Sequence, residues 1–286
     1  MSTNDFGRRH HSLIMMPTIQ QKHDKVKLAV YKRVSEYLLN GYAVIYAAES
    51  DPSKVVQQMS KIVAELVPSD EREIENYISS GALIVLSSDK FYSPSPVAKP
   101  PETHKLVSLW QSYVLKAQRR SRPSGVVAIG NPSVFLEINK NHRIKLLEYE
   151  RAVAKEFAKP MEAICWYSNS KTISKLSFSE LVTIITAHHS TIHDGWLYRE
   201  WHPYDIITQV EEGMDRILGE GTTSLIFKTL KLVYKIDPEK TITTQPEVFE
   251  EKLRKIMGDS IAKLLFEILA DALRKEASFN RIAQMH

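Results

Sequence analysis

In the first two-thirds of the chain, short apolar runs rich in β-branched residues alternate with amphipathic stretches of helical period. That alternation predicts an α/β fold with a mostly parallel sheet covered by helices on both faces. The runs at 12–16, 43–47, 82–86, 126–129 and 162–167 read as strands. After the first of them, Val26, Val30, Val34 and Tyr37/Leu38 share one helical face, and Pro52 sits where a first-turn proline would open a helix over 53–66. Another helix is specified by the capping-box sequence Ser177-Phe178-Ser179-Glu180, with Asp194-Gly195 as its expected stop. The segment 92–101 carries four prolines and predicts an irregular surface loop after the third strand.

Beyond Trp201-His202-Pro203 the strand pattern ends and helical patterning continues, broken at Gly219-Glu220-Gly221, Asp237-Pro238 and Gly258-Asp259. A short repeat lies there: Arg216-Ile217-Leu218-Gly219-Glu220 aligns with Lys255-Ile256-Met257-Gly258-Asp259, each followed by an apolar stripe. The expected organisation is an α/β domain over 1–203 and a small all-α domain over 204–286, with 1–9 and 277–286 as frayed ends. Trp196, Tyr198, Trp201 and Tyr204 would pack the two parts together.

Composition narrows the function classes. The 286 residues are 43% hydrophobic and 25% charged with a net charge of +4, ordinary values for a globular protein. Residues 208–286 hold 12 Lys/Arg against 13 Asp/Glu, so the helical part lacks the positive field that drives phosphate contact, and nucleic acid is disfavoured as a partner. The single cysteine excludes an internal disulfide or a multi-cysteine zinc site and points to a reducing, cytoplasmic home. The start has no signal-peptide layout and no run reads as a membrane span.

Candidate chemistry is sparse. The turn after the first strand, Pro17 to Lys25, holds no glycine, so the phosphate cradle of a nucleotide-binding α/β domain is missing, and the fourth strand ends in Gly130-Asn131 where an aspartate would hold magnesium. Ligands of open α/β sheets sit beyond the carboxyl ends of the strands, which makes Thr18, Glu49, Ser88, Asn131 and Tyr167 the candidate pocket residues. A small-molecule site and a remnant crevice filled by side chains both fit that position. His189 and His193 are one helical turn apart, but no glutamate follows His189 as in H-E-x-x-H, so no metal is expected and these two are only weak candidates. His188 shares a face with Leu181, Ile185 and Ile192 and reads as a packed histidine. Cys165 reads as a buried small hydrophobe, and neither Ser133 nor Ser168 occupies a nucleophile elbow.

The run from Glu36 to Glu49, EYLLNGYAVIYAAE, resembles the helix, glycine, strand, acidic-residue passage of KaiC/RecA-like domains. Together with Leu147-Glu148-Tyr149-Glu150, Met161 to Tyr167 and Leu181 to His193, it is similar to the MEDS sensory domain, a KaiC-related family of methanogen and methylotroph regulators, over about 10–200. Residues 208–276 resemble a helical output domain described in ammonia-oxidising archaea. The resemblance implies a RecA/KaiC-like three-layer domain without a P-loop, coupled to a helical output module in an archaeal-type regulator. Only Glu49 remains at the place of the family's catalytic acid, so the implied protein is a degenerate ATPase fold and not an enzyme. It would act without a cofactor, as a signal-transduction sensor with a regulatory protein partner and an unidentified small effector; RecA-like relatives imply self-association by analogy. The alternatives are a nucleotide-binding protein with an atypical phosphate site and a DNA-associated transcriptional regulator.

Overall fold

A computed structural model describes residues 11–17, 23–48, 50–66, 73–92, 102–138, 140–156 and 161–279. Five parallel strands form most of one sheet: β1 (His11–Met15), β2 (Ala43–Ala48), β3 (Leu83–Ser87), β4 (Val126–Gly130) and β5 (Met161–Tyr167). They coincide with the five runs read from the sequence. The sheet has 7 strands, in the order β3-β2-β4-β5-β1-β6-β7, where β6 (Ser190–His193) pairs parallel to β1 and β7 (Leu197–Glu200) closes an antiparallel hairpin. All of β1 is buried, as is all of β2, as expected of strands covered on both faces.

Helices fill the crossovers: α1 (His23–Leu39), α2 (Pro52–Leu66), α3 (Glu73–Ser80), α4 (Ser88–Tyr92), α5 (Thr103–Ser121), α6 (Ser133–Ile138), α7 (Lys140–Glu156), α8 (Ser170–Ile173) and α9 (Phe178–Ala187). The predicted stripe of α1 is buried, with Tyr31 against Tyr46 of β2 and Tyr46 against Trp166 of β5 on that side of the sheet. On the other side Cys165 and Tyr167 face α7. Asp51 opens α2 by accepting from the Ser53 backbone N–H at 2.9 Å.

Three expectations need correction. The capping box at Ser177 forms as written, but α9 ends at Ala187, and the chain that read as helix to Asp194 becomes β6. Asp194-Gly195-Trp196 then turns the hairpin, with φ of 78° at Gly195 and 58° at Trp196. Tyr92, placed in the proline loop, closes α4 and is wholly buried; the rest of that loop, 93–101, lies outside the described residues.

Tyr92 also explains the end of β4. A Cβ at Gly130 would overlap the Tyr92 hydroxyl oxygen and press on Trp110 at 3.3 Å. Glycine is required there for space, so the fourth strand has no room for a metal-binding aspartate at that position.

The C-terminal region is helical: α10 (Pro203–Leu218), α11 (Glu220–Leu232), α12 (Pro238–Thr244), α13 (Pro246–Met257) and α14 (Asp259–Ala277). α10 approaches α14 at Gly213, where a Cβ would strike Leu269. Phe178 of α9 packs against Phe249 and Phe266 of this region, at ring separations of 6.2 and 5.2 Å, so the hydrophobic core runs on from the sheet into these helices. The end of α14 returns to the sheet, where the Phe279 N–H donates to the Met15 carbonyl at 2.9 Å.

The repeated glycines have one geometry. Gly219 joins α10 to α11 at φ 83°, ψ 147°, and Gly258 joins α13 to α14 at φ 80°, ψ 157°. That backbone region is open to glycine alone, while a Cβ at either position would meet nothing within 4 Å. Conformation and not space fixes these residues. Gly219→Ala and Gly258→Ala are each expected to lower stability by about 1–3 kcal/mol through backbone strain, read from urea midpoints. Gly130→Ala should lose a similar ~1–3 kcal/mol for the opposite reason, overpacking against Tyr92, and Tyr92→Phe in the same chain should recover part of it.

Candidate functional site

An open cleft of about 610 Å³ lies at the carboxyl ends of the parallel strands. Met16 follows β1, Ser50 follows β2, Asp89 sits in α4 after β3, Asn131 follows β4, Trp166 lies at the end of β5, and Ser168 to Lys171 lead into α8. The first turn of α1 adds His23, Asp24 and Lys27. Chain-to-chain bonds hold the floor: the Ser168 N–H donates to Ser133 Oγ at 2.9 Å, and the Ser168 hydroxyl donates to Asn131 Oδ1 at 3.2 Å. Asn169 caps α8, accepting from the Lys171 and Thr172 N–H groups at 3.0 and 3.3 Å. Trp166 is buried, yet its indole N–H has no hydrogen-bond partner among the described residues. The lining is polar, carries charges of both signs and, among the described residues, includes no glycine. It can hold a small molecule by hydrogen bonds at several points.

Of the predicted pocket residues, Asn131 lines this cleft. Ser88 is buried with an unpartnered hydroxyl and lies outside the lining. Tyr167 points to the other side of the sheet, where its hydroxyl donates to Glu150 Oε1 at 2.7 Å. Thr18 and Glu49 lie outside the described residues. Asp89 belongs to the strand end 88–90 that the topology offered, whereas Trp166, Lys27 and Lys171 were not read from the sequence. Trp166 was within reach of strand alternation, because neighbours on β5 face opposite sides and only one of Trp166 and Tyr167 can face α1.

The two weak metal candidates separate. His189 is exposed and precedes β6, whereas His193 ends β6, is buried and bonds Thr191 Oγ1 at 2.8 Å. On extended chain, positions four apart lie about 13 Å from one another, so the helical-turn spacing they needed does not exist.

A different set converges instead. His11 of β1, Glu150 of α7, Cys165 of β5 and His188 at the end of α9 are all buried, and their ligand atoms lie within 4.8 Å of one another. His11 Nε2 is 3.3 Å from Cys165 Sγ and 3.4 Å from Glu150 Oε2; Glu150 Oε2 is also 3.3 Å from Cys165 Sγ and 3.4 Å from His188 Nε2. The imidazoles stack at 4.0 Å. Each holds its Nδ1–H on a backbone carbonyl, His11 on Ala187 at 2.8 Å and His188 on Ile184 at 2.6 Å, which fixes the tautomer and turns both Nε2 atoms inward. Burial, aided by His11, pushes His188 down to about 3, so that ring is neutral near neutral pH. Burial raises the Cys165 thiol well above its usual range. Burial also works to raise the Glu150 carboxyl, but the polar contacts of the cluster, the Tyr167 hydroxyl among them, outweigh it and hold Glu150 below the usual carboxylate range. His188 is the packed, hydrogen-bonded histidine its sequence neighbours implied, and Cys165 is buried as expected but within a polar cluster and not among apolar neighbours alone.

Among the described residues, no helix is long and apolar enough to cross a membrane. Comparison with curated proteins and with solved structures returns no match. The family model described as MEDS, the methanogen/methylotroph, DcmR sensory domain, matches residues 20–190, which span α1 through the start of β6. That match takes in the cleft side chains from His23 to Lys171 and three members of the buried cluster. With more than half of its length so matched, the chain belongs to the MEDS sensory-domain family.

Proposed function

We propose that the protein senses a small, polar effector in the cleft at the strand ends and relays its presence through the C-terminal helices to a regulatory protein partner. Membership of a sensory family supplies the class of function. The observation that carries the finer reading is that the cleft and the anchorage of α14 use the same two pieces of chain. Met16 lines the cleft, and its neighbour Met15 holds the end of α14 through the Phe279 N–H. Residues 168–171 line the cleft, and the same segment continues to Ile173 and Leu176, whose carbonyls accept from the Arg274 guanidinium of α14.

An effector that prefers one arrangement of this segment would shift the population of α14 positions by its differential affinity. Exposed apolar side chains on these helices are available to a partner: Leu225 and Leu232 of α11 and Ile261 and Leu264 of α14 are more than half exposed. Descent from an ATPase rests on the KaiC/RecA resemblance alone. The nucleotide alternative has against it a cleft lining without glycine among the described residues, and the DNA alternative a helical region with no excess of positive charge.

Thermal-shift measurements on the full chain test the reading, with ATP, ADP and GTP, each with and without magnesium, beside a panel of small alcohols, amines and carboxylic acids. A saturable rise is expected from a member of the small-molecule panel, on the order of 3 kcal/mol of added stability at a hundredfold excess over Kd. Trp166→Phe, which deletes the unpartnered N–H, and Asn131→Ala should each weaken it at least about tenfold, the equivalent of one lost hydrogen bond. A magnesium-dependent rise with a nucleotide, accompanied by turnover, would overturn it.

A further inference from the structure

We infer that His11, Glu150, Cys165 and His188 form a closed, four-ligand site for a divalent metal ion of the zinc class, seated between the sheet and the helices α7 and α9. The site is apart from the cleft, and its occupancy is independent of which effector the cleft takes.

Proton bookkeeping points there first. Both imidazoles spend their Nδ1–H on carbonyl oxygens, which turns the Nε2 of each into the cluster as a ligand atom. Glu150 Oε2 is a third ligand atom in the same space, and Cys165 Sγ is a fourth, 3.3 Å from both His11 Nε2 and Glu150 Oε2. His188 Nε2, on a side chain with no exposed surface, makes no hydrogen bond among the described residues. A buried ring nitrogen left unsatisfied beside a buried carboxylate is costly, and a cation answers both together.

Geometry agrees. Ligand atoms about 2.0–2.3 Å from a common tetrahedral centre are separated by about 3.3–3.8 Å. Four of the six edges of the cluster, at 3.3, 3.3, 3.4 and 3.4 Å, match that figure, and no pair exceeds 4.8 Å. The outer partners are also those of a metal site. Carbonyls orient both histidines, and the Tyr167 hydroxyl occupies Glu150 Oε1 and leaves Oε2 for the ion.

Charge agrees as well. On binding, the Cys165 thiol loses its proton to solvent, and the resulting thiolate, the Glu150 carboxylate and two neutral imidazoles sum with a divalent cation to zero. A neutral complex is what a fully buried site tolerates. One thiolate with two imidazoles favours zinc, or cobalt in its place, over magnesium or calcium, which take oxygen ligands. Four protein ligands leave no open position, so the ion fastens β1, β5, α7 and the α9–β6 joint to one another; its readout is stability.

The test is metal analysis of the full chain produced in zinc-supplemented medium, with cobalt loading during refolding. One zinc per chain is expected after gel filtration. The cobalt form should show a thiolate-to-cobalt charge-transfer band in the near ultraviolet and the intense visible bands of tetrahedral cobalt. Cys165→Ser should abolish the charge-transfer band with the far-ultraviolet circular dichroism unchanged. His188→Gln should weaken metal affinity by more than the about 10–100-fold that follows loss of an outer-shell partner. Refolding with a chelator should lower Tm, and zinc should restore it in the wild-type chain but not in the Cys165→Ser/His188→Gln double variant. The inference is overturned if the refolded, folded wild-type chain holds no more metal than the double variant and melts at the same temperature with and without zinc. A bound ion whose spectrum ignores Cys165→Ser would equally overturn it.

Discussion

One wholly buried carboxylate organises the middle of this molecule. Glu150 sits on α7 with no access to water, and a charge so placed survives only if its surroundings are built to receive it. Tyr167 and Cys165 of β5 reach it from one strand, His11 from the next, and His188 from the end of α9. These contacts bring β1 beside β5 and place the start of β6 beside β1, where the His189 N–H donates to the His11 carbonyl at 2.8 Å. The sheet centre, the helix that covers it and the turn into the hairpin are thus fixed by one set of polar contacts within an apolar core.

From that centre the chain runs outward in two directions that bear on function. The carboxyl end of β1 supplies the cleft with Met16 and receives the end of α14 at Met15. The carboxyl end of β5 supplies Trp166 and the segment 168–171, and the same segment meets Arg274 two residues later, at Ile173. Cleft and C-terminal helices are therefore neighbours through shared backbone. The α13 helix adds a further tie, since Glu250 accepts from the Ser179 N–H at 2.8 Å at the start of α9.

Much of this was legible in the sequence, and the parts that were not share a cause. Strands covered on both faces announce themselves as unbroken apolar runs, and the helix-glycine-helix joints at Gly219 and Gly258 recur with the same backbone angles. The hairpin was hidden because Asp-Gly serves both as a helix stop and as a hairpin turn, and the apolar face of α9 runs without a break into Thr191 and Ile192. The cleft's position followed from the topology of parallel sheets, but the choice between Trp166 and Tyr167 depended on the face each side chain takes. The buried cluster had no local signature at all: His11, Glu150, Cys165 and His188 come from four separated segments, and each reads as ordinary in its own surroundings. Only the fold brings them together.

The coupling of cleft to helices is open to hydrogen-exchange mass spectrometry on the full chain and on Arg274→Ala, without any ligand. Loss of the guanidinium removes its bonds to the Ile173 and Leu176 carbonyls at a distance from the cleft itself. The expected result is faster exchange in 168–176 and in the first turn of α1, with the amides of β4 and β5 as protected as before. Faster exchange confined to α14, with the cleft segments unchanged, would contradict a shared mechanical path between the two.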